Sequence, residues 1–283
     1  MRAAILGAGG QLGRALRAAL PDADAFTRAD LDLTDAAAVH AVDWSRYDAV
    51  FNAAAFTAVD AAETPQGRAA AWRCNATAVG HLARAVGRTT LVHVSTEYVF
   101  DGRGDGPIPV DAPLCPLSAY GASKAAGELA AAAAARRYVV RTSWVVGEGH
   151  NFVATMAGLA ARGVCPTVVA DQVGRPTLAD DLARGLVGLV DAGAPFGTYH
   201  LTNAGRPASW ADVARVVFAL VGRSPDDVAD TTTETYFADK PGAATRPRNS
   251  VLDLTAADAA GVALRPWGDA LAAHLEHRTA AAR

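Results

Sequence analysis

The sequence has few cysteines, methionines and lysines. Of its 283 residues, 3 are cysteine and 2 are methionine. The cysteines, Cys74, Cys115 and Cys165, are odd in number and include no Cys-x-x-Cys pair, which excludes a disulfide framework and a cysteine-based zinc cluster. The only lysines are Lys124 and Lys240, so arginine supplies nearly all of the positive charge. This cysteine usage is typical of a protein of the reducing cytoplasm.

Long apolar runs and a large net charge are also missing. The apolar run at residues 3–6 is too short for the core of a signal peptide, and no stretch of 18 apolar residues follows. We therefore predict neither export nor a membrane span. With 26 basic and 29 acidic residues the formal net charge is −3, which gives no electrostatic basis for binding nucleic acid. We predict no metal site from the residues themselves.

What the sequence does contain is an alternation of short apolar runs with longer helical segments. The length and the 51% hydrophobic content fit one large α/β domain, or such a domain carrying a smaller one. Short apolar runs bounded by Gly, Asn, Ser or Thr are typical of buried parallel strands. The predicted strands are residues 3–6, 23–27, 49–52, 91–95, 138–142 and 167–169. This pattern predicts a Rossmann-type, doubly wound parallel sheet.

The alternation becomes irregular beyond about residue 147. We predict a Rossmann domain that binds NAD(P) at residues 1–146, and a smaller C-terminal substrate-binding lobe at residues 147–283 that is interleaved with late elements of the sheet. Within the lobe, Ser209 is expected to cap a helix. The polar, threonine-rich residues 226–245 are expected to form an exposed loop.

A glycine-rich turn follows the first predicted strand. It reads Gly7-Ala8-Gly9-Gly10-Gln11-Leu12-Gly13 and opens a helical pattern. In a dinucleotide-binding turn the first glycine permits the tight bend, the second lets a pyrophosphate approach the backbone, and the third allows close packing of helix and strand. A glycine turn without a ligand is the alternative. The strand-turn-helix context favours dinucleotide binding by residues 7, 10, 11, 12 and 13.

The end of the second predicted strand bears on the choice of cofactor. NAD-specific sites commonly place a carboxylate there, whereas this strand ends in Thr27-Arg28. Arg28 favours the 2′-phosphate of NADPH, although Asp30 lies nearby and NADH stays open. Asp32 and Leu33 are candidates for flanking the adenine.

Tyr120 and Lys124 are spaced for one face of a helix. At i and i+4 the ammonium can lie near the phenol and favour its phenolate form, so we expect Lys124 to lower the pKa of Tyr120. If Tyr120 gives its proton to a substrate carbonyl oxygen, Thr96, at the end of a predicted strand, can hydrogen-bond that oxygen as well. These three side chains suit acid-base catalysis on a carbonyl substrate. Tyr120 and Lys124 are also predicted to contact the cofactor, with Lys124 at the nicotinamide ribose. A surface Tyr/Lys pair at a chance spacing is the alternative.

Together these motifs resemble the extended short-chain dehydrogenase/reductase superfamily, and further blocks resemble the dTDP-4-dehydrorhamnose reductase family within it. One block reads Ser-Thr-Glu-Tyr-Val-Phe-Asp-Gly and another Arg-Pro-Arg-Asn-Ser. The matching blocks are residues 10–13, 52–60, 95–102, 141–144, 151–152, 171–172 and 246–250. The resemblance extends over nearly the whole chain.

The resemblance implies NAD(P)H-dependent reduction of the 4-keto group of a nucleotide-linked 6-deoxyhexose, above all dTDP-4-dehydro-L-rhamnose. It implies cofactor contacts from Ala53, Ala54, Ala55, Phe56 and Thr57. It implies substrate contacts from Thr96, Glu97, Tyr98, Trp144 and Asn151, and Arg246 is a candidate for the pyrophosphate. The family usually has Asp where this chain has Glu97, one methylene longer, so the positioning of the sugar is open.

Two other functions stay open. One is a different extended short-chain enzyme on a nucleotide deoxysugar: a reductase, an epimerase or a dehydratase. The other is a nucleotide-binding regulatory subunit without catalysis, which the trio of Thr96, Tyr120 and Lys124 disfavours. Some members of the family bind magnesium between subunits, but we identify no such ligands here. The oligomeric state is open, with a homodimer as one candidate.

Overall fold

The computed structural model describes residues 1–281 as strands and helices in alternation. The strands are β1 (Ala3–Leu6), β2 (Asp24–Phe26), β3 (Ala49–Asn52), β4 (Thr90–Thr96), β5 (Arg137–Thr142), β6 (Val145–Val146), β7 (Thr167–Val169), β8 (Val173–Gly174), β9 (Thr177–Leu178), β10 (Gly197–His200), β11 (Ala208–Ser209) and β12 (Ala229–Thr231). The helices are α1 (Gln11–Ala19), α2 (Ala36–Ala41), α3 (Pro65–Trp72), α4 (Ala78–Ala85), α5 (Ala119–Ala131), α6 (Phe152–Ala161), α7 (Ala179–Asp191), α8 (Trp210–Leu220), α9 (Thr233–Phe237), α10 (Thr255–Ala259) and α11 (Trp267–Ala281).

Six strands form a parallel sheet in the order β2-β1-β3-β4-β5-β10. The order reverses between β1 and β3, because the chain first moves outward to β2 and then crosses to the other side of β1. In open α/β sheets ligands bind at such a switch point, beyond the carboxyl ends of the strands. The predicted Rossmann-type doubly wound sheet is confirmed.

Successive residues of the sheet enter two different cores, as the alternation of a strand requires. Ile5, Phe51 and Val140 pack with α1 and α7 on one face. Leu6 and Val50 pack with α2 and α4 on the other. Both faces of the sheet are therefore covered by helices, which explains why its strands read as continuous apolar runs.

A third core lies outside the sheet and is built by residues beyond position 144. It joins α6, α8 and α11 with Val168 of β7. Three two-stranded pairings flank it, namely β11-β8, β12-β7 and β6-β9. Ser209 caps α8, as predicted, and a reciprocal bond from the Ser209 backbone to Asp212 completes a capping box. The last two residues of the predicted lobe, 282 and 283, lie outside the described residues.

Two sequence predictions about this half of the chain were wrong. Residues 167–169 form a strand, but it pairs with β12 and not with the main sheet. The sixth strand of the sheet is β10, which pairs with β5; its sequence, Gly-Thr-Tyr-His, lacks the apolar run by which the others were found. Residues 226–245, expected as a loop, contain β12 and α9. Short polar segments of this kind take their structure from pairing partners far along the chain.

Within residues 1–281, no helix combines the length and the apolar composition that crossing a bilayer requires. Nor do three His, Cys, Asp or Glu side chains of these residues gather as metal ligands would.

A buried ion pair ties α5 to the sheet. The Arg141 guanidinium of β5 donates to both carboxylate oxygens of Glu128 at 2.8–3.1 Å, and the Ser95 hydroxyl of β4 donates to Glu128 at 2.5 Å. The two charged side chains are only 6% and 5% exposed. Because a buried charge is tolerated only with good partners, the pair holds two neighbouring strands and one helix in a single arrangement.

We expect Arg141→Met to lower the free energy of unfolding by about 3–5 kcal/mol, because it leaves the Glu128 carboxylate buried without its partner. Urea unfolding followed by circular dichroism measures this. The control is Arg103→Met, which removes the exposed ion pair with Asp101 (3.8 Å) and is expected to cost less than about 1 kcal/mol. Equal losses in the two variants would contradict the special role of the buried pair.

Candidate active site

A cleft of about 760 Å³ opens at the switch point of the sheet. Its size is within the ordinary range of about 300–1,000 Å³ for ligand pockets. It is formed by the segments that follow β1, β2 and β3, as the sheet order demands. The residues that line it are Leu6, Gly7, Gly9, Gly10, Phe26, Thr27, Arg28, Leu31, Asp32, Leu33, Thr34, Ala53, Ala54, Ala55, Phe56, Ala70, Arg73 and Cys74.

The glycine turn that forms one wall allows very close backbone contacts. Gly7 has a φ of +77°, and a Cβ there would lie 2.6 Å from the Ala54 nitrogen. A Cβ on Gly13 would lie 2.1 Å from the Gly7 carbonyl oxygen. At Gly10, which precedes the first turn of α1, a Cβ would meet Gly7 O at 3.4 Å, near ordinary contact. Gly7 and Gly13 thus serve the fold, whereas Gly10 leaves room on the cleft side.

Six of the residues predicted to contact a cofactor lie outside the cleft lining, and two of them are Tyr120 and Lys124 on α5. Leu12 is buried in the core beneath α1, Gly13 packs against the turn, and Thr57 is exposed. The Gln11 side chain accepts a hydrogen bond from the Gly147 amide at 2.7 Å, which joins the turn to the segment after β6. No side chain of the described residues caps α1, so its first amide groups offer a positive helix end beside the cleft.

The segment after β2 brings one cation and one anion to the cleft. Arg28 is 86% exposed on its side chain and lies 3.6 Å from the Asp32 carboxylate. Hydrogen bonds from the Thr34 amide and hydroxyl lower the pKa of Asp32. Asp30 turns away and accepts two hydrogen bonds from Thr27. The guanidinium is paired with Asp32 but exposed, so a phosphate can reach it.

Sequence reasoning missed Asn75, which holds the wall formed by Phe56. Asn75 is fully buried in a π-helical turn, Arg73–Thr77, between α3 and α4. Its amide accepts from the Phe56 nitrogen and donates to the Phe56 carbonyl and to Ser123 on α5. A single π turn often marks a functional site, but a lone asparagine in a helical segment carries no local signal.

The helix α5 carries Tyr120 and Lys124 and packs beside β4. Ser118 caps the helix by accepting from the Gly121 amide, and Glu63 accepts from the Ala119 amide. A Cβ on Gly121 would lie 2.2 Å from the Tyr98 carbonyl oxygen. The helix therefore approaches the end of β4 more closely than a larger residue would allow, which brings its first turn to Thr96.

Burial is the largest influence on the pKa values of both Tyr120 and Lys124. Tyr120 is 8% exposed; burial, and then the charge of Glu97, raise its pKa above the ordinary value, while a hydrogen bond with Thr96 opposes the shift. The Lys124 ammonium donates to the Val94 carbonyl at 2.7 Å. Burial lowers the pKa of Lys124 to about 8, against the attraction of Glu128. That Lys124 lowers the pKa of the phenol stays a prediction.

Glu97 lies at the centre of the same group. The Thr96 hydroxyl donates to the Glu97 carboxylate at 2.7 Å, and Ser250, from the C-terminal half, is a further hydrogen-bond partner. Glu97 is 2% exposed, and burial raises its pKa to about 7 in spite of these hydrogen bonds. The carboxyl group of Glu97 is thus hydrogen-bonded to the hydroxyl of Thr96, which also neighbours the Tyr120 phenol.

Trp144 closes the group from the side of the lobe. Its ring stacks on Trp210 with centroids 3.7 Å apart, and a Cβ on Gly174 would lie 2.9 Å from the Trp144 ring and 3.1 Å from Ser250. The backbone of Trp144 has a φ of 48°. A bulky residue in the left-handed region is strained and persists only where its surroundings hold it.

The Arg246 side chain is hydrogen-bonded to other groups of the protein. It donates to both oxygens of Asp60 at 2.8–2.9 Å and to the Ala244 carbonyl, and it hydrogen-bonds Tyr98. The Tyr98 ring meets Tyr120 edge to face at 5.4 Å. The segment before Arg246 is therefore fastened to the loop after β3, next to the Tyr120 group. Asn151 caps α6 and donates to the Gly147 carbonyl.

A second, smaller cleft of about 440 Å³ lies on the other side of Gln11. It contains His274 and His277, a His-x-x-His spacing on α11 that the sequence reasoning overlooked. Arg14, Arg184 and Arg265 also line it. Each guanidinium is paired with a carboxylate, and among the described residues no three His, Cys, Asp or Glu side chains gather there as metal ligands would.

The parallel sheet, the glycine turn and the buried Tyr120/Lys124 pair define the class: a Rossmann-type α/β protein built like the extended short-chain dehydrogenases/reductases. A family model described as the RmlD substrate binding domain matches residues 1–280. The chain belongs to this family, which confirms the resemblance seen in the blocks of sequence.

Individual relatives agree over nearly the full chain. A dTDP-4-dehydrorhamnose reductase of Mycolicibacterium smegmatis is 42% identical over 281 residues, 95% of this chain and 84% of the relative. A dTDP-4-keto-6-deoxy-D-glucose reductase of Streptomyces niveus is 40% identical over 279 residues, 94% of each chain. The structure of a Bacillus anthracis dTDP-4-dehydrorhamnose reductase in complex with NADP superposes with a TM-score of 0.89 at 33% identity, covering 98% of this chain and 99% of that one.

We expect Gly13→Ala to destabilise the fold by about 3 kcal/mol, since its Cβ would collide with the Gly7 carbonyl. Gly10→Ala should fold almost normally, but its Kd for a dinucleotide cofactor should rise about tenfold, which is a loss of about 1.4 kcal/mol of binding free energy. Thermal unfolding and a dinucleotide titration measure the two effects. Tight binding by Gly10→Ala would contradict a role of this turn in the ligand site.

Proposed function

We propose that the protein reduces the 4-keto group of a nucleotide-linked 6-deoxyhexose at the expense of NAD(P)H, with dTDP-4-dehydro-L-rhamnose as its substrate and dTDP-L-rhamnose as its product. One observation carries this: the 42% identity to a dTDP-4-dehydrorhamnose reductase extends over 95% of the chain. The burial of Thr96, Tyr120 and Lys124 in one group adds chemical support, because a pure binding protein has no need of such groups.

The cleft at the switch point fits the nicotinamide cofactor. Its volume, the uncapped start of α1 and the open side of Gly10 suit a pyrophosphate. In our proposal Arg28 meets the 2′-phosphate of NADPH, and Ala53 to Phe56 line the path toward Tyr120. When bound, the reduced cofactor supplies the hydride.

The group around Tyr120 would carry the proton chemistry. We infer that Tyr120 donates a proton to the oxygen on C4 of the sugar, and that the Thr96 hydroxyl turns from Glu97 to donate a hydrogen bond to the same oxygen and orient it. Its raised pKa keeps Tyr120 protonated at neutral pH, as a proton donor requires. Lys124 keeps the cofactor side of the site cationic, while Glu97, Tyr98 and Trp144 shape the sugar site.

The identity of the sugar has a second candidate. The relative from Streptomyces niveus, named as a dTDP-4-keto-6-deoxy-D-glucose reductase, is 40% identical, nearly as much as the Mycolicibacterium relative. A reductase for that ketosugar would use the same proton donor, since the two substrates differ in ring stereochemistry and not in the reacting carbonyl.

We also propose the division into a cofactor-binding part at residues 1–146 and a substrate-binding part at residues 147–283, because the cleft is lined by the first part and the third core is built by the second. A cytoplasmic location is consistent with the three free cysteines. A homodimer and the absence of nucleic-acid binding stay predictions.

The purified protein should consume NADPH when dTDP-4-dehydro-L-rhamnose is added, with a kcat/KM at least about tenfold above that for dTDP-4-keto-6-deoxy-D-glucose. Absorbance of the reduced nicotinamide and the identity of the sugar product measure this. The reverse preference would favour the second candidate. Conversion without net consumption of NADPH would point to an epimerase or dehydratase and would overturn the assignment.

The Tyr120→Phe variant should lose at least about 100-fold in kcat, because the alkoxide on C4 then lacks its proton donor. Cofactor affinity should stay close to that of the wild type, as measured by fluorescence titration. Tyr98→Phe is the matched control: it removes a neighbouring phenol but keeps the ring contact, and it should cost much less. Equal losses in the two variants would argue against Tyr120 as the donor.

A further inference from the structure

The glycine turn contains one residue whose backbone is not confined by close packing. A Cβ on Gly7 or Gly13 would lie 2.6 Å or 2.1 Å from backbone atoms, so contacts with neighbouring backbone confine both positions. A Cβ on Gly9 would meet only the Thr27 methyl group, at 4.0 Å. Glycine without such contacts can adopt many backbone conformations. Gly9 lines the cleft at the switch point, so its conformation bears directly on what that cleft can bind.

Backbone hydrogen bonds fix the rest of the turn, but the Gly9 carbonyl is held by a side chain. The Gly7 carbonyl accepts from the Gly10 amide at 3.0 Å, and the Gly10 carbonyl accepts from the Arg14 amide at 2.9 Å. The Gly9 carbonyl accepts from Nη1 of Arg14 at 2.5 Å. Hydrogen bonds from charged donors are shorter and stronger than those between neutral groups. Arg14 thus orients the peptide group that joins Gly9 to Gly10.

The same guanidinium also binds the segment that follows β6. Nη2 of Arg14 donates to the Glu148 carbonyl at 2.6 Å, and Nε lies 3.3 Å from the Glu148 carboxylate. Beside it, the Gln11 side chain accepts from the Gly147 amide at 2.7 Å. Two side chains of α1 therefore anchor the glycine turn to residues 147–148, where the proposed substrate-binding part begins.

Arg14 lies behind the turn and not in the cleft at the switch point. Its side chain is 37% exposed and lines the second cleft, on the other side of Gln11. From there Arg14 can act on a ligand of the first cleft in two ways, through the Gly9 peptide group or through its charge at a distance. The Glu148 carboxylate offsets that charge, which favours the first way.

We propose that Arg14 is the positioning residue of the phosphate-binding turn: it holds the Gly9 carbonyl away from the cleft and so pre-forms the turn for the pyrophosphate of the dinucleotide. A carbonyl oxygen that turned toward the cleft would repel the pyrophosphate by its partial negative charge. This inference rests on the cofactor proposed above and is independent of the identity of the sugar.

The expected effect is one of pre-organisation. A turn that is held before the ligand arrives loses less conformational freedom on binding, which raises affinity without a new contact. Replacement of Arg14 should therefore weaken the binding of ligands that carry a pyrophosphate and spare those that lack one. The nucleotide 2′-AMP keeps the adenosine and the 2′-phosphate of NADPH but has no pyrophosphate.

Calorimetric titration of Arg14→Met with NADPH, ADP and 2′-AMP tests the proposal. We expect the Kd to rise about tenfold for NADPH and ADP, and by less than about twofold for 2′-AMP. Arg17→Met is the matched control, because Arg17 is exposed on the same helix and its loss changes the net charge equally. This control should leave all three Kd values within about twofold of the wild type.

The double variant Arg14→Met/Glu148→Gln separates the hydrogen bond from the charge, because it removes one charge of each sign. We expect it to bind NADPH as weakly as Arg14→Met does. The Glu148 side chain is 80% exposed, so its replacement should not disturb the fold. Binding restored to the wild-type level would mean that only charge matters and would overturn the proposal.

Hydrogen exchange followed by mass spectrometry gives a readout that needs no ligand. The amides of Gly7, Ala8 and Gly10 are hydrogen-bonded within the turn and to Phe26. In Arg14→Met, peptides that contain residues 7–10 should exchange at least about tenfold faster than in the wild type. Peptides of β4 and β5 should exchange as before, and Arg17→Met should resemble the wild type throughout.

Two further results would overturn the proposal: equal losses of affinity for ADP and 2′-AMP, or unchanged exchange at residues 7–10 in Arg14→Met. A wild type that binds neither NADPH nor ADP would overturn the cofactor assignment, and the role of Arg14 with it. A wild type that binds NADPH but reduces no ketosugar would overturn only the proposed function, because none of these measurements uses a sugar.

Discussion

The ion pair between Glu128 and Arg141 is the contact on which the rest of the active site depends. Glu128 lies one helical turn after Lys124 on α5, and its partners Ser95 and Arg141 lie on β4 and β5. Ser95 directly precedes Thr96. One buried carboxylate therefore holds the helix that carries Tyr120 against the strand that ends in Thr96.

Around that pair the polar groups form two neighbouring sets, one in the cleft and one around Tyr120. The cleft at the switch point has cations and free amide groups, which suits phosphates. The neighbouring group has phenols, hydroxyls and one carboxyl, which suits the movement of protons. Asn75 joins the two parts, because it binds the Phe56 backbone on one side and Ser123 of α5 on the other. Asn75 therefore ties the cleft wall at Phe56 to the helix that carries Tyr120.

The sequence predicted the parts of this arrangement that depend on local pattern. Five strands of the sheet are short apolar runs, the glycine turn has a fixed spacing, and Tyr120 and Lys124 share a helix face by periodicity alone. The strand β10 was missed because Gly197–His200 owes its place to pairing with β5. The bond from Lys124 to the Val94 carbonyl and the contact of Glu97 with Ser250 were equally hidden, since each depends on how distant segments pack.

The bond between Arg246 and Asp60 joins residues that are 186 positions apart in the chain, and Ser250 reaches Glu97 over a similar span. The glycine turn and the first strands are complete long before these partners have been synthesised. During translation the glycine turn would thus be complete early, whereas the surroundings of Glu97 and Tyr98 would be complete only near the end. The proposed activity would in this sense require the whole polypeptide, and an amino-terminal fragment should lack it.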